Sequence, residues 1–548
     1  MKIAKALAFV FLLSLLIPAV VAQEPYMGAV AVCGEDALTI TAADDHPEDE
    51  TTLALDNLLR RFVTFPAEGE APLQDRAVPG PGAVIYVESP NGRYLRSIGV
   101  RDLESCESFA PTVPFPIGSN TKMMTATVIF QLQEEGLLST SDLVSAYLPD
   151  LIALWPGTEA ITIDMLLTHT SGLPDYLNSQ SPTSIGKRLE TEEDLLSTGF
   201  TPQELIQNSA EADPALLFAP GSAGNWQYSN DGYIMLGLII EQVTGKSYID
   251  NVNERIIEPL GLENTVLVPG VAPDELGLVG QYDINPATLA VRDMSAWNFS
   301  QAWSAGNAVT TPEDLGTFVK ALYTGQLFQN EDTLAAYTTR AAPEYAAETA
   351  DFYYVHGGYY KGGFWGHGGQ TLGTESDPGY NPEEDTIIVV WSNVDYAYTG
   401  AGVFHVGNVL GLTRSWHDVY HEIAYNTSPL PKLYGVELVA SDMTAAGEET
   451  ITFEEGANYS ITLIDDSTMS IQADCNTVTA SYTTDYLNTM SIELGASTRA
   501  ACPEGSHADA FLSTLENVTG VVALDFGAYV YISLATDDAS TITLNSSE

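Results

Sequence analysis

Basic residues are scarce in this chain. Its 548 residues hold 20 Lys and Arg against 73 Asp and Glu, a formal net charge of −53. Such a surface repels nucleic acid and anionic membranes, so neither is expected as a partner. The imbalance comes from missing bases rather than acidic blocks, since charged residues make up 17% of the chain. It reads as a solubility feature of a secreted surface and says nothing about a reaction.

Long apolar runs are lacking past the first residues. Residues 1–22 read as a signal peptide: Lys2 and Lys5, an apolar stretch from Ala6 to about Leu16, Pro18, then Val20-Val21-Ala22. That stretch is shorter than the ~20 residues a membrane span needs. No later run is long enough, so no transmembrane span is expected, and no cysteine follows the stretch to carry a lipid. The expected location is secreted or periplasmic, in the cell envelope.

Cysteine is rare as well. Cys33, Cys106, Cys475 and Cys502 allow three pairings. Each half of the chain holds two, so the expected bridges are Cys33–Cys106 and Cys475–Cys502.

What is present suggests two domains. Residues 23–50 are polar and form a leader segment with no regular structure predicted. A helix is predicted over about 51–64, then a hairpin through Ala83-Val84-Ile85-Tyr86-Val87 and the turn Pro90-Asn91-Gly92. Further helices are expected after Ser119, over 231–243, and from Pro312 with Thr311 as cap. Strand patterns return at 352–364 and Thr386–Trp391, and 402–425 reads as a closing helix. Strands flanking a large helical insertion give an α/β (α+β) first domain over 51–425, with a mostly antiparallel sheet. Pro429-Leu430-Pro431 marks a boundary. Residues 433–548 alternate in short runs, with one helical stretch near 507–516, and read as a small β-rich domain.

Four segments carry candidate chemistry. In Phe115-Pro116-Ile117-Gly118-Ser119-Asn120-Thr121-Lys122, a serine stands three residues before one of the six lysines past residue 22. Helical spacing sets Ser119 and Lys122 on one face. Alone this is a common pattern. Tyr228-Ser229-Asn230 precedes a helix; a phenol can shuttle a proton if a nearby lysine lowers its pKa, and an amide can bind lysine and substrate carbonyl alike. The spacing favours a plainer account, with Asn230 or Asp231 as helix cap. His367-Gly368-Gly369-Gln370 is a glycine-rich strand entry where backbone can approach a ligand. Leu167-Thr168-His169-Thr170-Ser171-Gly172-Leu173 ends a helix, and His169 reads as a structural histidine capping a turn. His417 and His421 are spaced as a metal pair, but without a His-Glu-x-x-His pattern or a third ligand no metal is expected. No cofactor is expected either.

Taken in order with Pro220-Gly221, Pro259-Leu260-Gly261-Leu262, Asn264-Thr265 and Ser304-Ala305-Gly306, these segments resemble the serine β-lactamase and penicillin-binding protein superfamily, in its class C-related branch. The resemblance covers roughly 51–425. It implies Ser119 as acylated nucleophile, with Lys122 and Tyr228 sharing the base and acid duties. It also implies Asn230 as orienting group, His367 where many members have the lysine of a Lys-Thr-Gly triplet, and an oxyanion hole from the Ser119 and Gln370 N–H groups beside Gly369. The chain departs from the family pattern at Gly368, where threonine is usual, and at Asn307, where glycine is usual. The first removes a hydroxyl that would bind a substrate carboxylate; both count against β-lactam and D-Ala-D-Ala specificity and leave the acylation set intact. The implied substrate is a small molecule or peptide, an ester or D-amino-acid amide in preference to a β-lactam. The alternative is an inactive penicillin-binding-type binding protein. Residues 433–548 resemble the META domain through Ser470–Asn476, Ser497–Pro503 and Phe511–Leu515. That resemblance places two cysteines at characteristic positions and so supports the Cys475–Cys502 bridge. Oligomeric state is not legible.

Overall fold

In the computed structural model the described residues are 28–546, apart from 45, 47–48, 66–77, 285–289, 343–350, 396–401, 414–432, 445–449, 454–457, 466, 485–489, 499, 501, 504, 526–529 and 537–539. The expected signal peptide, the His417 and His421 pair and the Pro429–Pro431 boundary lie outside them. So does most of the expected closing helix, which is described over Gly402–Val409.

The hairpin forms as patterned, with strands Gly82–Ser89 and Gly92–Gly99. It builds a fully antiparallel sheet in the order Thr41–Ala42, Gly92–Gly99, Gly82–Ser89, Thr386–Ser392, Glu375–Asn381, Phe364–Gly366, Tyr359–Lys361, Phe352–Tyr354. Strand Thr386–Ser392 is buried at every position, because both faces of the sheet are covered. One face packs on Glu50–Arg61 and Gly402–Val409, through Leu55, Leu59, Val390 and Val403. The other meets the large helical core, where Trp391 stacks on Phe115 with ring centroids 4.7 Å apart.

The leader is more ordered than its composition suggests. It contributes the helix Ala29–Cys33 and the edge strand Thr41–Ala42. Cys33 is bridged to Cys106. Arg96 is buried between Asp44 and Asp56 at 3.0 and 3.1 Å, so one strand cation ties both the leader and the helix Glu50–Arg61 to the sheet. Pairing with this guanidinium offsets part of the desolvation cost of the two carboxylates.

Helix Thr121–Glu134 is buried almost all round, which explains a sequence apolar on every face rather than amphipathic. It packs against Asn230–Thr244, itself closed by Gly245 in the left-handed region at φ 68°. Thr311 caps Pro312–Tyr323 as expected, accepting from the Asp314 N–H.

The C-terminal β-rich domain is a second antiparallel sheet running from Met490–Ser497, through the strands of 437–484, then Thr541–Ser546 and Val530–Thr536, to Val518–Asp525. Its two end strands lie next to each other, curling the sheet toward a barrel around Phe511 and Leu515 of the helix Ala508–Glu516. The Cys475–Cys502 bridge is present. Among the described residues no helix is long and apolar enough to cross a membrane.

Candidate active site

Ser119 lies in a single 3-10 turn, Gly118–Asn120, that feeds directly into the buried helix. That turn sets the Lys122 ammonium nitrogen 3.0 Å from the Ser119 hydroxyl. The helix carries Lys122 into a fully buried position. There Nζ donates to Asn230 Oδ1 at 2.7 Å and to the Ala305 carbonyl at 2.8 Å. Three donors thus meet three oxygens. Burial nevertheless dominates the charge: desolvation lowers the Lys122 pKa to about 7, against a smaller opposing pull from Asp175.

Asn230 does not cap its helix. Ser229 does, through its hydroxyl and the Gly232 N–H. This shift of one residue frees the Asn230 side chain, whose amide nitrogen donates to both oxygens of Asp175 at 3.0 and 2.9 Å. Asp175 therefore fixes the amide with its oxygen toward Lys122. No local pattern marks Asp175, which acts through a contact distant along the chain; Ala305 lies in the Ser304-Ala305-Gly306 segment, but its carbonyl contact with Lys122 is equally distant and was not legible there.

Tyr228 turns its ring to Lys122, with Nζ 4.9 Å from the centroid. Its hydroxyl makes no hydrogen bond of ordinary geometry among the described residues, although the Ser119 hydroxyl is near enough to stabilise the phenolate slightly. Contrary to the expectation of a lowered phenol pKa, burial holds Tyr228 well above the usual tyrosine value. It is a proton donor at neutral pH. The physical reason is that a phenolate would be desolvated here, and that penalty outweighs the Ser119 hydroxyl that would stabilise it.

His367 sits at a break between strands Phe364–Gly366 and Gly369–Gln370, both paired to Glu375–Asn381. It is buried, and desolvation together with the Lys122 charge lowers its pKa to about 3. The position therefore carries a neutral ring. Gly369 is required by close approach: a Cβ there would meet the Ile117 carbonyl at 2.0 Å and the Asn120 amide at 2.3 Å. Gly118, at φ 48°, faces the Gln370 backbone just as closely. These two glycines let the serine turn and the strand Gly369–Gln370 lie side by side. Gly368 is different, since a Cβ there meets nothing within 4 Å. The Gln370 side chain is held by Asp395.

Ser119, Tyr228, Asn230, His367, Gly369 and Gln370 all line one cleft of about 960 Å³. The structure thus gathers every predicted site residue, with Lys122 directly behind the serine. The cleft's carboxylates are Glu190, Asp283, Glu375 and Asp395. Its basic residues are tied: Arg292 to Asp283 at 2.6 Å, and Lys361 to Asp377.

The Beta-lactamase family model matches residues 56–402 and the META domain model residues 437–544. PbpX of Bacillus subtilis (strain 168) is 28% identical over 286 residues, covering 52% of this chain and 63% of that protein. The chain spans about half to under two thirds of the length of the curated relatives it matches. A D-stereospecific amidohydrolase from Streptomyces sp. superposes with TM-score 0.51 at 30% identity, over 59% of this chain and 92% of that one. The D-amino acid amidase from Ochrobactrum anthropi SV3, complexed with L-phenylalanine amide, gives TM-score 0.54 at 25% identity, over 66% and 98%. The first domain has the serine hydrolase fold of these relatives, and the chain belongs to the Beta-lactamase family, with a META domain as its C-terminal part.

Proposed function

We propose that this protein is an extracytoplasmic serine hydrolase that acylates Ser119, acting on esters or D-amino-acid amides and peptides. The observation that carries the reading is a dry lysine 3.0 Å from a serine hydroxyl, with a pKa near neutrality. A neutral amine at that distance is a general base. In the proposed step Ser119 Oγ attacks the carbonyl carbon and its proton passes to Lys122 Nζ. The oxyanion is held by the Ser119 and Gln370 N–H groups, a kind of contact worth about 3–4 kcal/mol per donor. In this step the Tyr228 O–H gives its proton to the leaving group and recovers one from Lys122, so the leaving group departs protonated and the amine is neutral again. With Lys122 neutral again, water attacks the acyl-enzyme as Lys122 takes its proton, and that proton returns to Ser119 Oγ as the acid leaves.

The substrate class follows from charge. No untied cation stands among the described residues lining the cleft, His367 is neutral, and four carboxylates line the walls. A substrate carboxylate next to the scissile bond meets no untied cation among these residues, whereas a neutral ester or amide, or one bearing an ammonium group, does not need one. The similarity to a D-stereospecific amidohydrolase and to a D-amino acid amidase supports this direction. The two disulfides and the relatives suggest the extracytoplasmic location.

The test is labelling with a fluorophosphonate, then turnover of p-nitrophenyl esters, D-amino-acid amides, D-Ala-D-Ala peptides and nitrocefin, each with Ser119→Ala as control. Ester or amide turnover lost in Ser119→Ala is expected. Labelling that persists in Ser119→Ala would refute the assignment. A second reading, a binding protein without turnover, is favoured by the neutral group at 367 alone; it predicts a labelled serine with no hydrolysis of any of the four substrates.

A further inference from the structure

His169 was legible as a histidine at a turn, yet its surroundings are those of a hub. Its backbone is in the left-handed region at φ 59°, which is unfavourable for a side chain of this size. The strained residue is fully buried beside the site. Its carbonyl accepts from the Gln227 N–H at 3.1 Å, and its ring Nδ1 accepts from the Ser229 N–H at 3.1 Å. The N–H groups of both residues flanking Tyr228 are therefore held by this one residue, and the two rings lie 4.3 Å apart.

The hydrogen bonds continue away from Tyr228. An N–H can only donate, so His169 Nδ1 is an acceptor and the proton of the neutral ring is on Nε2. Nε2 lies 3.0 Å from the Tyr354 hydroxyl. The same hydroxyl lies 3.4 Å from His367 Nε2. At the far end His367 Nδ1 donates to the Gly368 carbonyl, which fixes the other tautomer there and leaves Nε2 as acceptor. The directions agree at every link: Ser229 N–H to His169, His169 N–H to Tyr354, Tyr354 O–H to His367, His367 N–H to Gly368. Burial keeps both imidazoles neutral and the phenol protonated, as the chain requires. Tyr233 is the competing acceptor for the Tyr354 proton, its own O–H being committed to the Leu167 carbonyl at 2.8 Å.

We propose that His169 and Tyr354 are positioning residues that couple Tyr228 to His367 through one directed hydrogen-bonded chain. In this arrangement His169 sets the Tyr228 loop and Tyr354 sets the tilt of His367, whose tautomer the Gly368 carbonyl fixes, so two walls of the cleft share one support. The functional meaning rests on the acylation reading above; the chain itself does not.

Two measurements decide it. Ring-nitrogen NMR of protein labelled with 15N-histidine, assigned with His169→Asn and His367→Asn, reports which nitrogen is protonated without any substrate. Protonation of His169 on Nε2 and of His367 on Nδ1 is expected, with the His367 signals moving in Tyr354→Phe. Either ring in the opposite tautomer, or a His367 ring unchanged in Tyr354→Phe because the proton goes to Tyr233, overturns the proposal. The second measurement is a double-mutant cycle on the fluorophosphonate labelling rate with Tyr354→Phe and His367→Asn. Each single variant should slow labelling about tenfold, and the double variant no more than about the slower single. Multiplicative losses, about a hundredfold in the double, would show independent packing effects and overturn the coupling. A wild type that takes no label would sink the serine reading, while the ring-nitrogen result would still decide the chain.

Discussion

Lys122 should impose a titration on the acylation step near neutrality. An ordinary lysine of pKa 10.5 is neutral in roughly one molecule in 3,000 at pH 7. The buried Lys122, with a pKa of about 7, is neutral in about half. At about 1.36 kcal/mol per pH unit, burial favours the neutral amine by about 5 kcal/mol. The rate of fluorophosphonate labelling should then rise about tenfold per pH unit below 7 and level off above it. Asp175 supplies the control. Its carboxylate is the charge that opposes the lowering, so Asp175→Asn should move the midpoint below 7 and raise relative reactivity at pH 6. The same carboxylate orients Asn230, so the plateau rate should fall in this variant. Stability has its own sign. Because the folded pKa lies below the unfolded one, the folded state binds fewer protons between about pH 7 and 10.5, and this group's contribution to stability improves as pH rises through that window. Stopped-flow labelling from pH 5 to 9 is the assay. A rate flat across that range, or one still climbing at pH 9, would refute the claim that a desolvated Lys122 is the base.

Three further outcomes follow from the structure. Gly369→Ala must push the Ile117 carbonyl or the Asn120 amide aside, and should cost about 2–4 kcal/mol in denaturant unfolding and abolish labelling; a variant of native stability would show that the strand and the serine turn are not locked together. Gly368→Thr meets open space, so it should fold within about 1 kcal/mol of wild type and improve the rate on D-Ala-D-Ala peptides relative to esters, measured side by side; an unchanged ratio would remove the hydroxyl from the account of specificity. Opening the Cys33–Cys106 bridge, which closes a separation of 73 residues, should cost about 4 kcal/mol in the chain-entropy picture, read as a fall in the unfolding midpoint of the Cys33→Ala/Cys106→Ala protein; no change would mean that Arg96 and its carboxylates hold the leader unaided.

Much of the fold was legible because its signals are local. The hairpin at 82–99 and the cap at Thr311 are written in neighbouring residues, and the structure keeps them. The leader was not legible, because its order depends on Cys106 and Arg96, whose positions in space no window of polar residues discloses. The cap at Ser229 in place of Asn230 has a similar origin. All three residues of the stretch 229–231 suit a helix start, and the choice was made by Asp175 drawing the Asn230 amide inward.

The sequence by itself determined the family and the set of groups that meet at the site. Ser119, Lys122, Tyr228, Asn230 and His367 stand in an order that few chains share by accident, and the spacing of Ser119 and Lys122 brings them together in any helical turn. Only the tertiary structure decided their charge states. A lysine made half neutral, a tyrosine kept protonated and a histidine kept neutral are consequences of burial, and burial is set by helices and strands hundreds of residues apart, which no local pattern of residue types encodes.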